Sequence, residues 1–244
     1  MLNSHKLIVS RPLFPEYLPH FNFGIERSRA RNVPQLGEEL HIPDITALLS
    51  RFLFEQQPCD TDNLVDTPEH TYPQYIGPVK VFNSASAFFY APSDVSGTHG
   101  MRQEVIRSCP NWRNEGPRHD CVFVNANPET DPMNGLEVAR ILAFFSFHFN
   151  GCYYPCAVVN WFDRVGDYPD EDTGMWMVHP QFNQRNQRSH SIIHVDTIYR
   201  AAHLIPVYSK HFVPTHIRPH HSYDSFRLFY VNKYADHHAF EIAS

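Results

Sequence analysis

Two long apolar runs, Leu136 to Phe149 and Tyr153 to Phe162, follow one another across the dipeptide Asn150-Gly151. No other feature narrows the fold as far. An Asn-Gly pair suits the left-handed backbone of a tight strand-linking turn, so the two runs are expected to form a β-hairpin. Further apolar segments are Val79 to Phe82, Ala87 to Tyr90, Cys121 to Val124, Met175 to Val178, Ser191 to Val195, Leu204 to Tyr208 and Phe226 to Val231, with turn-forming residues between them. Several strands spaced by turns, with few helices, point to a mainly β (α+β) fold: a small curved SH3/BAH-like barrel or sandwich with one packed N-terminal helix.

That helix is expected from Asp44 to Gln57. Pro43 and Asp44 form its start, Ile45, Leu48, Leu49, Phe52 and Leu53 make one apolar stripe, and Pro58 ends it. A second, short helix is expected around Met101 to Arg107, stopped before Pro110. The expected organisation is an extended or mobile arm over 1–36, which carries Pro12, Pro15, Pro19 and Pro34, then a helix and linker over 37–78, and a β-rich core domain over 79–244.

Composition limits the functions such a chain can serve. With 244 residues, 42% of them hydrophobic and 14% aromatic, it has the material for a core and is not a disordered chain. Lysine and arginine number 20 against 26 acidic residues, a net charge of −6, which argues against a protein that coats a phosphate backbone; direct nucleic-acid binding is expected to be weak or absent. A local contact remains open at Arg27, Arg29 and Arg31, weighed against an ordinary solvated basic stretch diluted by Glu26. Five cysteines, an odd number, read as reduced thiols of an intracellular protein. No apolar run reaches the roughly 20 residues of a membrane span, and the opening Met1-Leu2-Asn3-Ser4-His5-Lys6 lacks the layout of a secretory signal.

Candidate chemistry is sparse. The histidines near the C-terminal end, His211, His216, His220, His221, His237 and His238, are metal-ligand types, but Pro214 and Pro219 interrupt the helix that would give the i, i+4 spacing of His216 and His220 its meaning. Cys152 and Cys156 form a C-x3-C pair without a second copy, and in a strand both thiols share a face, which suits core packing. The acidic loop 163–172, with Asp163, Asp167, Asp170, Glu171 and Asp172, lacks calcium-loop spacing and reads as a solvated hairpin loop. Ser93-Asp94 and Ser96-Gly97 lack a nucleophile elbow, and no phosphate-cradling glycine loop exists. No catalytic residue, metal or cofactor is therefore assigned. Trp161, Trp176 and Tyr199 stand at or beside predicted strands and form a candidate ligand site at one mouth of a barrel, with core packing as the ordinary alternative.

A set of strings carries a resemblance: Phe89-Tyr90-Ala91-Pro92-Ser93-Asp94, Gly100-Met101, Ile106-Arg107-Ser108, Val138-Ala139-Arg140, Tyr154-Pro155-Cys156-Ala157, Asp172-Thr173-Gly174-Met175-Trp176, His203-Leu204-Ile205-Pro206-Val207-Tyr208 and Tyr230-Val231-Asn232-Lys233-Tyr234-Ala235-Asp236-His237-His238. Together they resemble the C-terminal accessory region of fungal Plavaka-type DNA transposases, over about Arg51 to Glu241. Such transposases are expected to cut and join DNA with a metal-binding carboxylate triad elsewhere in the protein, and no residue here matches that triad. The resemblance implies a non-catalytic accessory or interaction module, detached from the nuclease, with protein or chromatin as partner and a nuclear location. The alternative is a metal-dependent enzyme using the His-rich segment and the acidic loop 163–172.

Overall fold

The computed structural model describes residues 22–25, 29–56, 72–91, 99–125, 133–208 and 212–244. Arg27, His211, the Ser93-Asp94 and Ser96-Gly97 turn, and most of the 1–36 arm and of the linker before residue 78 lie outside the described residues. In chain order the elements are β1 (Asn22–Ile25), α1 (Val33–Leu40), α2 (Ile45–Glu55), β2 (Lys80–Tyr90), β3 (Met101–Cys109), β4 (Arg118–His119), β5 (Cys121–Asn125) and β6 (Leu136–Phe149). There follow β7 (Cys152–Val165), β8 (Met177–Pro180), β9 (His190–His194), β10 (Ile198–Ala202), β11 (Leu204–Pro206), α3 (Ser222–Ser225), β12 (Phe229–Val231) and α4 (His237–Ile242). The strands form an antiparallel sheet in the order β11-β12-β8-β7-β6-β2-β3-β4, with β5 and β10 joined through β6, β9 joined to β7 and β1 joined to β2. The sheet curls into a half-barrel, so the mainly β expectation holds.

The β6–β7 hairpin is the spine. Asn150 and Gly151 both take positive φ, 49° and 80°, the backbone that a two-residue hairpin turn requires, and Phe149 pairs with Cys152 across it. These strands read as nearly continuous apolar runs because both of their faces are covered. Ala143, Phe145 and Phe147 face one side, with Cys156, Val158 and the α2 stripe; Ala139, Ile141 and Phe144 face the other, with Ala157, Val159 and Trp161. The change of parity falls at Leu142, where the β6–β7 register shifts.

Helix α2 covers the first face. Ile45, Leu49, Phe52 and Leu53 are buried there with Leu48 packed beside them, which is the stripe that its spacing predicts. A second helix, α1, packs alongside. Its N-cap Asn32 accepts from the Gln35 N–H at 2.9 Å, Pro34 sits in its first turn, and it starts ahead of the 36/37 boundary drawn from sequence.

Three expectations need correction. Met101 to Arg107 is not a helix but part of β3, paired with β2 from Tyr90↔Met101 to Ser84↔Arg107. Helix-forming Met, Arg, Gln and Glu are overruled because the backbone of β2 needs a partner on that side. The apolar runs on either side of Asn83 to Ser86 join in one strand, β2 (Lys80–Tyr90), since Ser84 and Ser86 continue the ladder with β3 instead of turning. Cys152 and Cys156 do not share a buried setting: Cys156 is buried, while Cys152 is exposed where the hairpin tip runs beyond the core.

The C-terminal segment is pinned by a partly buried ion pair. Arg200 on β10 donates twice to Asp236, at 2.9 and 2.6 Å, and Glu104 of β3 lies 3.6 Å away. Asp236 also caps α4 by accepting from Ala239 N at 2.7 Å. Its carboxyl is held down to about 2, chiefly by the Arg200 hydrogen bonds, whereas burial pushes Glu104 up.

Candidate functional site: a guanidinium-floored cleft

One arginine stands in the middle of the apolar β6 run. Arg140 is 6% exposed and lies opposite Asn160 of β7. A guanidinium in this position must find a counter-ion, because burying it unpaired costs several kcal/mol. The partner comes from far along the chain: Arg140 Nη1 donates to Asp224 Oδ1 of α3 at 2.8 Å, and the guanidinium sits 5.1 Å over the Tyr223 ring. Tyr223 in turn contacts Phe229, which seats α3 on the third core cluster.

A second arginine reaches the same carboxylate. The segment between β8 and β9 folds back on itself: Asn183 Oδ1 accepts from Arg185 N and Gln187 N, Ser189 N bonds Gln181 O, and Phe182 bridges to Arg188. Arg188 Nη2 therefore lies 3.8 Å from Asp224 Oδ1 and donates to Tyr223 O at 2.6 Å, with its guanidinium 5.4 Å over the Phe182 ring. Burial and the neighbouring Arg140 both lower the Arg188 pKa, against the pull of Asp224.

Above these groups opens a cleft of about 830 Å³ lined by His179, Phe182, Arg188, Asp224, Phe226 and Arg227 among others. Phe182 is half exposed at the rim, and Tyr208 meets Phe226 edge-on at 5.2 Å. The charges do not balance. Asp224 is the carboxylate that meets Arg140 and Arg188, it is 62% exposed, and Arg227 adds a third cation. Arg140 Nε, Arg188 Nη1 and Asn160 Oδ1 are buried without a hydrogen-bond partner among the described residues. An aromatic rim over an under-neutralised guanidinium floor suits a ligand with an anionic group on a partly apolar body.

The residues singled out from sequence fall elsewhere. Trp161 is 7% exposed in the second core cluster, where its Nε1 donates to Ser191 Oγ at 2.9 Å. Trp176 is 3% exposed in the third cluster, and Tyr199 packs against that cluster with its hydroxyl 3.2 Å from His238 Nε2. Trp161 and Trp176 fill two different core clusters and Tyr199 is partly buried beside the second of these, so the three rings do not line one mouth. Arg29 is bound by Glu39 and Asn83, and Arg31 is exposed with its N–H on Gln35, so these two do not form a basic patch.

The histidines disperse as well. His238 is buried, stacked on Phe89 at 5.2 Å, whereas the His220 ring abuts Gly116 and His221 Nδ1 accepts from Arg218 N. In the acidic loop, Asp170 accepts from Thr173 and Asp163 from Gln181. Among the described residues no group of three or more His, Cys, Asp or Glu side chains is placed to hold a metal ion. No helix among them is long and apolar enough to cross a membrane. Arg140 and Arg188 were overlooked at the sequence level, although an arginine inside an unbroken apolar strand is itself a signal that a counter-charge must arrive from elsewhere. No family model matches the chain, and no curated protein or solved structure compared with it is similar.

Proposed function

We propose that this chain is a non-catalytic interaction module, of the accessory kind that its resemblance to Plavaka-type transposase regions implies, and that its cleft takes an acidic group of a partner protein. The observation that supports the reading most is the unequal charge: Arg188 in the cleft and Arg140 buried beneath it share the one carboxylate of Asp224. A partner's carboxylate pairing with Arg188 in the cleft would offset the like-charge repulsion between the arginines. Phe182 and Phe226 would meet the apolar part of the same segment. The whole-chain charge of −6 works against a long polyanion, so a short acidic peptide is favoured over a nucleic-acid backbone.

Calorimetric titration of the full chain with Asp- and Glu-containing peptides bearing one aromatic residue tests this. Arg188→Gln should weaken binding about tenfold or more, the usual size for a charge-assisted contact. Asp224→Asn should preserve or strengthen it, because a competing internal carboxylate is removed. Loss of binding in Asp224→Asn with no effect of Arg188→Gln would refute the reading and favour a cation at the cleft.

A further inference from the structure

The β3–β4 hairpin ends in a tip that the cleft does not use. Between Cys109 and Arg118 the chain turns through Trp112-Arg113-Asn114-Glu115, closed by Glu115 N on Trp112 O at 3.0 Å and Trp112 N on Gly116 O at 2.7 Å. Arg113 and Asn114 both lie in the left-handed region, φ 55° and 61°. Asn accepts that backbone readily, but Arg does not, and such local strain persists where the surroundings enforce it. The surroundings here are well built. Gly116 has φ 142°, and a Cβ added to it would come within 2.8 Å of the His220 ring, so tip and ring are in close contact.

Three guanidiniums converge on Trp112: Arg107 at 4.6 Å from the ring centroid, Arg118 at 5.2 Å and Arg113 at 5.4 Å. Asp120 is spoken for, since Oδ1 takes Arg118 Nε at 2.8 Å and Oδ2 takes the Arg107 backbone N–H at 2.9 Å. Glu115, the tip's other acid, is exposed and forms no ion pair among the described residues. Each cation–π contact at an exposed site is weak and is opposed by the repulsion between neighbouring cations. Asp120 offsets the charge of Arg118, while Arg107 and Arg113 have no carboxylate partner among the described residues, an arrangement that an arriving dianion would stabilise.

We propose that this tip is a separate phosphate-binding site that takes the phosphate monoester of a partner protein's phosphorylated side chain. A phosphomonoester carries about −1.5 to −2 charge at neutral pH and three acceptor oxygens, matching several fork-shaped donors at one point. The three arginines gather on one ring instead of tracking a backbone, which suits a single anionic group better than a polynucleotide.

The test uses the full chain, followed by calorimetry and by tryptophan fluorescence. The probes are a decapeptide with one central phosphoserine, its unphosphorylated twin, and a single-stranded oligothymidylate. The phosphopeptide should bind saturably and at least about tenfold tighter than its twin. Arg113→Asn should weaken it about tenfold while leaving the melting temperature unchanged or higher, because Asn fits the left-handed position better. Arg107→Gln, with circular dichroism to check folding, should also weaken it; Arg188→Gln should not, which keeps this site distinct from the cleft. Equal affinity for the two peptides, no binding, unchanged affinity in both tip variants, or tighter binding of the oligonucleotide would overturn the proposal.

Discussion

His119 shows how one residue reports on the electrostatics of this face. Its Nδ1 lies 3.1 Å from Ile141 O and 3.2 Å from Ser108 Oγ, so the ring is held within the sheet edge beside Arg140. Burial, and then the positive charge of Arg140, lower its pKa from 6.5 to about 4, opposed by the hydrogen bond with the Ile141 carbonyl and adjusted slightly by Arg29 and Asp224. A depressed folded-state value means that the unfolded chain takes up the proton first. The contribution to stability is therefore complete above about pH 6.5 and disappears as the pH falls to about 4. Denaturant unfolding should show a loss of about 2–3 kcal/mol across that window, and His119→Gln should flatten it. A parent profile that is level from pH 6.5 to 4 would contradict the assignment. Nothing in the sequence marks His119 among 17 histidines, because its environment is made by Arg140, which pairs with Asp224 84 positions later.

At the scale of elements, what was legible was whatever a local pattern dictates. The Asn150-Gly151 turn and the Ile45 to Leu53 stripe each specify their element through a few neighbouring residues, and both stand where expected. Strand β3 was not legible, since its composition favours helix and its pairing with β2 alone makes it a strand. Helix α2 offers the clearest energetic test. Phe52 is 3% exposed and meets Tyr154 edge-to-face at 6.2 Å, on the face shared by Phe145 and Phe147. Phe52→Ala should cost about 3–5 kcal/mol in chemical denaturation, from lost burial plus the cavity left between helix and sheet. A variant as stable as the parent would mean that α2 does not cover this face in solution.

For the whole molecule, the cleft arises from segments that no motif connects: an arginine inside β6, an arginine on the β8–β9 fold-back, and a carboxylate on α3. Their spacing in the chain carries no signature, so the site could not be read before the sheet had curled. The aromatics that looked functional in sequence went into the core instead, as large apolar side chains usually do. The measurement closest to the central claim follows the arginine side chains themselves. In a 15N-detected titration of the full chain with an acetylated Asp-Phe dipeptide, the Nε–H signals of Arg188 and Arg140 should shift saturably with one common dissociation constant. Arg164, whose guanidinium stacks over the Trp176 ring and does not line the cleft, should stay in place. Shifts of equal size at all three arginines, or none at Arg188, would contradict the account.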